Sequence, residues 1–168
     1  TELSQLEDLD LVAYVPSSAY DLAEAYWPGP MTIIMEKGSA IPDEVSAGLD
    51  TVAIRMPAHP VARSIIDAAG VPLAAPSANT SGKPSPTTAA HVAEDMDGKI
   101  DAIVDGGPCE VGVESTVLTL CAETPRILRP GGVTPAMLEE VLGEVDIDDA
   151  VLGKLKEGEV AASPGMKY

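Results

Sequence analysis

Thr51–Gly70 reads TVAIRMPAHPVARSIIDAAG, and it contains both kinds of regular structure back to back. Thr51 to Met56 is a compact apolar run of strand character, ended by Pro57, which has no N–H to give a ladder. From His59 to Ala69 the pattern changes. Val61, Ile65, Ile66 and Ala69 recur at helical intervals, and Gly70 supplies the stop. Upstream, Met31 to Met35 (MTIIM) is a buried strand behind a helix over Ser17 to Trp27, with Ser17 or Ser18 as its cap and Pro28-Gly29-Pro30 as its end. Ile41 to Leu49 reads as a loop.

Downstream, Leu73 to Ala75 and Ile100 to Val104 read as strands. Between them the spacing predicts a helix over Thr87 to Met96, capped by Ser85 or Thr87. Thr116 to Leu120 and Arg126 to Leu128 are two more strands. Thr134 caps a helix to Leu142, with Pro135 at its first position and Gly143 after it. From Asp146 the chain turns acidic and loop-like. Strands and helices mix without a strict βαβ rhythm, so the expected fold class is α/β or α+β. Its sheet should hold both parallel and antiparallel pairs rather than be doubly wound.

The chain has 168 residues, enough for a real core, and 45% of them are hydrophobic. Phe is absent and aromatics make up 3%, so aliphatic side chains must fill that core. Twenty-seven acids against ten bases give a net charge of −17, which opposes non-specific binding to nucleic acid. Its few arginines (Arg55, Arg63, Arg126 and Arg129) are therefore informative for any anionic ligand. No apolar run has the length of a membrane span, and Thr1-Glu2-Leu3-Ser4 has neither a basic start nor an apolar stretch. Cys109 and Cys121 match no zinc spacing and read as reduced, semi-buried thiols.

Four places bear on chemistry. Arg55 sits in an apolar strand and reads either as a surface residue of an edge strand or as a guanidinium facing a cleft. Thr51 shares its strand face by period 2, so the two can line one pocket. Val71 to Thr88 (VPLAAPSANTSGKPSPTT) breaks at Pro76 into small polar residues. It reads either as a surface turn or as a cradle for phosphate or carboxylate. Gly112-Val113-Glu114-Ser115-Thr116 offers flexible backbone and a hydroxyl pair before a strand. Arg129, at a strand end before Pro130-Gly131-Gly132, can meet a phosphate or form a surface ion pair. His59 and His91 read as structural. No nucleophile–base pair, P-loop or G-x-G-x-x-G pattern is present.

Taken in order, the blocks Trp27–Thr32, Gly48–Pro60, Ala74–Gly82 with Ser85–Thr88, Asp105–Cys109, Gly112–Val117 and Ile127–Gly131 resemble the YrdC-like family of L-threonylcarbamoyladenylate synthases, in its long two-domain form. The resemblance covers nearly the whole chain. It implies a twisted open sheet with flanking helices around a concave site. It also implies the formation of threonylcarbamoyl-AMP and pyrophosphate from L-threonine, bicarbonate or CO2, and ATP, with Mg²⁺ on the phosphates. The product would pass to the machinery that makes t6A in tRNA, in the cytoplasm, with contact to tRNA left open.

By motif position, Arg55 and Ser115 would hold threonine. Thr51, Ala75, Ser77, Ser85 and Arg129 would line the ATP site, with Ser77 and Asn79 as positioning groups near the phosphates. No metal ligand is assigned. The family's basic N-terminal motif has no match before Trp27, so the expectation is a catalytic domain over residues 1–145 without its first part. Residues 146–168 would begin a linker, with Ser163–Tyr168 crossing toward a second domain, and the chain would be inactive alone. Two alternatives stand beside this one. One is a non-catalytic YrdC-like module binding nucleotide or RNA, which the charge opposes. The other is a carbamoyl-transfer domain of the hydrogenase-maturation type, whose zinc-finger segments are missing here.

Overall fold

The structure is a computed structural model that describes residues 3–153. The described residues divide into two compact units. His59–Glu114 forms the second, and the residues on either side of it form the first. The tail from Ser163 to Tyr168, read above as linker, lies outside the described residues.

The first unit is built on a five-stranded mixed sheet in the order β2-β1-β3-β4-β5. Its strands are β1 (Met31–Glu36), β2 (Thr51–Arg55), β3 (Thr116–Thr119), β4 (Arg126–Arg129) and β5 (Asp146–Ile147). β1 pairs antiparallel with β2 and parallel with β3, β3 is antiparallel to β4, and β4 is parallel to β5. The mixed sheet expected from the sequence is therefore present. β5 is a correction to the loop-like reading after Asp146. Arg126 faces Asp146 across this last pair, with an exposed 3.7 Å ion pair.

Alternation of side chains gives the sheet two faces. One carries Met31, Ile33, Met35, Val52, Leu118 and Ile127, which pack with Leu22 and Leu138 into the main core. Those two leucines belong to helices α2 (Ser17–Tyr26) and α6 (Pro135–Leu142), joined where the Tyr26 hydroxyl donates to the Met137 carbonyl at 2.6 Å. The other face has a smaller cluster of Ile34, Val117 and Leu128. Thr134 caps α6 as expected, accepting from the Met137 N–H. Neither Ser17 nor Ser18 caps α2. Pro16 stands at its N-cap, and Ser17 is already helical. Two short helices, α1 (Gln5–Asp8) and α3 (Asp43–Ser46), fall where no helix was expected, the second inside the Ile41–Leu49 loop.

The second unit holds helices α4 (Pro60–Ala69) and α5 (Ala89–Met96). His59 starts α4: its Nδ1 accepts from the Val61 N–H at 3.3 Å, and its Nε2 lies 3.1 Å from the Gly106 carbonyl. That pattern makes Nε2 the protonated nitrogen, so His59 is structural. α5 begins two residues later than expected and is capped by Thr88, not by Ser85 or Thr87. The expected strands Leu73–Ala75 and Ile100–Val104 are not formed. These segments run outside any ladder, and Leu73, Ile103 and Val104 are exposed. A short apolar run signals a demand for burial, but a strand also needs a neighbour to pair with.

Candidate functional site

On the first unit's sheet, away from the main core, a row of polar side chains crosses four strands. Arg55 on β2 stands opposite Thr32 on β1. Thr32 is in register with Val117 on β3, and Val117 with Arg129 on β4. Ser115, just before β3, closes the row. Its hydroxyl is 2.8 Å from the Thr32 hydroxyl and accepts from Arg129 Nη2 at 3.1 Å. Arg129 also grips the Ser115 carbonyl through Nε at 3.1 Å and Nη2 at 3.0 Å. The result is a buried serine hydroxyl held between a threonine and an arginine, with a second arginine beside that threonine.

Each position follows from local sequence. Among the described residues β2 lies at the edge of the sheet, and Arg55 is exposed. Arg55 is nevertheless anchored, because its Nε donates to the Gly29 carbonyl at 3.1 Å. Gly29 is itself fixed to the strand end by its N–H on the Met56 carbonyl at 2.9 Å. Only glycine fits there, since a Cβ would collide with the Tyr26 carbonyl oxygen. The Pro28-Gly29-Pro30 helix stop thus also serves as the mount for Arg55.

The hydroxyl pair Ser115-Thr116 divides between the two faces. Thr116 turns into the core, donating to the Val133 carbonyl at 2.6 Å and accepting the Val133 N–H at 2.9 Å. Of the pair, Ser115 alone joins the row. Thr51 lies on the same face as Arg55 but opposite Glu36, at the other end of β2. At about 3.3 Å per residue the two are about 13 Å apart, so one pocket touching both must be long.

The remaining expected residues belong to the second unit. Ala75 and Ser77 are exposed. Ser85 donates to Glu114 Oε1 at 2.6 Å. Asn79 braces its own loop, giving Nδ2 to the carbonyls of Thr80 (3.1 Å) and Lys83 (3.0 Å). Its Oδ1 is buried and finds no hydrogen-bond partner among the described residues.

The loop is tied down by Asp95 on α5, the buried residue of this unit. Asp95 Oδ2 accepts the Thr80 N–H at 2.9 Å, and Oδ1 forms a short ion pair with Lys83. The Lys83 hydrogen bond, helped by the Thr80 N–H, holds the Asp95 carboxyl below the usual carboxylate range. The same pairing raises the Lys83 ammonium. The Val71–Thr88 stretch is therefore braced at Asn79, Thr80 and Lys83. Cys109 and Cys121 are free and, contrary to the semi-buried reading, exposed.

Thr32 and Asp95 were missed in the sequence. Thr32 carried a faint signal as the one polar residue in the run MTIIM. Asp95 carried none, since a lone acid near a helix end is ordinary.

Among known proteins, a family model described as Telomere recombination (Sua5, YciO and YrdC) matches residues 2–131. Threonylcarbamoyl-AMP synthase of Pyrococcus abyssi is 49% identical over 99% of this chain and 48% of its own length. The protein of the same name from Bacillus subtilis is 52% identical over 99% of this chain and 47% of its own length. The chain thus spans about half the length of these curated relatives. A crystal structure of P. abyssi Sua5 complexed with L-threonine superposes with a TM-score of 0.92 at 49% identity, covering 100% of this chain and 48% of that one. Matched by the model over most of its length, the chain belongs to the Sua5/YciO/YrdC family.

Proposed function

We propose that this chain carries the catalytic part of an L-threonylcarbamoyladenylate synthase. The observation that supports it best is the row Arg55–Thr32–Ser115–Arg129, standing in a chain about half identical to relatives of that name. The threonine amine captures CO2, drawn from bicarbonate, and loses a proton to become a carbamate. A carbamate oxygen then attacks the α-phosphorus of ATP, the bond to the β-phosphate oxygen breaks, and pyrophosphate leaves. No covalent intermediate with the protein is needed. The work is to place two anions together and keep water from a labile carbamate.

In this reading Arg55 and Ser115 receive the threonine carboxylate, with donors suited to a planar anion. Arg129 faces the nucleotide while bracing Ser115, so the two subsites adjoin on the first unit's sheet. Thr51, Ala75, Ser77 and Ser85 are the further proposed nucleotide contacts. Asn79, its amide already engaged by its own loop, acts as a positioning residue. Among the described residues no three His, Cys, Asp or Glu side chains stand together as a metal site. We assign no ligand of Mg²⁺ to the chain. The ion is proposed only as a companion that ATP carries on its phosphates, and no step is routed through it.

The product would pass to a tRNA-modifying transferase. No helix among the described residues is long and apolar enough to cross a membrane. We place the reaction in the cytoplasm, where tRNA and ATP are available.

The test is pyrophosphate release from ATP by the full-length protein. Release is expected to require both L-threonine and bicarbonate. Release that ignores threonine, or that L-serine supports equally, would contradict the assignment.

A further inference from the structure

We infer that Thr32 is a positioning residue that turns the Ser115 hydroxyl into a hydrogen-bond donor toward the substrate carboxylate. The inference rests on the synthase reading and deepens it. A serine hydroxyl has one proton and two lone pairs. Arg129 Nη2 fills one lone pair of Ser115 Oγ at 3.1 Å. The Thr32 hydroxyl lies 2.8 Å from the same oxygen, and either can donate to the other. When Thr32 donates, both lone pairs of Ser115 are filled and its proton is left to point outward. A carboxylate accepts and cannot donate, so it selects that arrangement.

Three features make Thr32 suited to this task. It sits on β1, flanked by β2 and β3, where the backbone is held on both sides. Its β-branched side chain has few rotamers. It is directly opposite Arg55, so the oriented proton and the guanidinium serve the same side of one ligand. Valine has nearly the same shape and would keep the strand while removing the hydroxyl.

The experiment compares wild type, Thr32→Val and Thr32→Ser in the full-length protein. It measures KM and kcat for L-threonine, and binding of L-threonine and L-threoninamide by calorimetry. Loss of one hydrogen bond to a charged group predicts about a tenfold weaker threonine affinity for Thr32→Val. The loss should fall on KM more than on kcat, and Thr32→Ser should restore most of it. Threoninamide keeps a carbonyl acceptor but carries no charge there, so Thr32→Val should weaken its binding clearly less than it weakens that of threonine.

Equal threonine affinity in wild type and Thr32→Val would overturn the inference. So would an equal loss for threonine and its amide, since that is what general damage to the pocket produces. Wild type that binds no threonine at all would sink the synthase reading, and this inference with it.

Discussion

In the first unit a mixed sheet buries apolar side chains on both faces, and every buried apolar side chain among the described residues belongs to it. In His59–Glu114 the one buried residue is an acid, Asp95, and apolar side chains such as Leu73, Ile103, Val104 and Val113 are exposed. The first unit keeps its shape by removing hydrocarbon from water, and the second leans on hydrogen bonds and an ion pair around a carboxylate. The contrast matters for function. Arg55, Thr32, Ser115 and Arg129 ride on the sheet of the first unit, whose opposite face is packed into the main core. Ser77, Asn79 and Ser85 ride on a segment whose order depends on a few polar contacts.

The contrast is broken most severely through the core. Leu118 is fully buried at the centre of the sheet. Leu118→Ala should cost about 2–5 kcal/mol of unfolding free energy, read from urea denaturation. A loss below about 1 kcal/mol would mean that packing does not dominate the first unit.

Asp95→Asn comes next. It removes the charge that pairs with Lys83 and weakens the grip on Thr80, so limited proteolysis at residues 79–85 should speed up. The melting temperature of the first unit should move little. The pH dependence follows the lowered Asp95 carboxyl. Its stabilising effect is fully present above the ordinary carboxylate range and is lost as pH falls through the depressed folded value. Lys83 is raised, so its share is fully present below its ordinary value and is lost only as pH rises through the raised one. Protection of the Thr80 amide against hydrogen exchange should therefore hold through neutral pH and collapse in acid. Loss of protection between pH 6 and 8, roughly midway between the two groups, would show that something else tethers the loop.

The smallest effect belongs to the exposed apolar residues. Val104→Thr should change stability by no more than about 0.5 kcal/mol, since little is buried to lose. A larger loss would mean that this side chain is covered in the protein as it works.

Much of the first unit was legible. MTIIM, TVAIRM and the Thr134-Pro135…Gly143 helix carry strong local signals, and each became the element expected to within a residue or two. The mixed sheet followed from their order. Leu73–Ala75 and Ile100–Val104 were misread because hydrophobicity is a property of the segment, while pairing depends on a neighbour. For the candidate row, Arg55, Ser115 and Arg129 were singled out by residue type and motif. The bonds that join them were not, because β1 to β3 is a contact across more than eighty residues. Thr116 was read as a partner of Ser115, and only the burial of its strand face shows that its hydroxyl turns inward. Asp95 had no signal in the sequence, because its role lies in reaching back fifteen residues to Thr80.

The most direct test of the central claim, that the sheet row receives the carboxylate of threonine, is calorimetric titration of L-threonine into wild type and Arg55→Lys. Lysine keeps the charge but loses the planar fork and the Nε bond to Gly29. Saturable binding by wild type and at least about tenfold weaker binding by the variant are expected. Threonine binding that is unchanged in Arg55→Lys would contradict it.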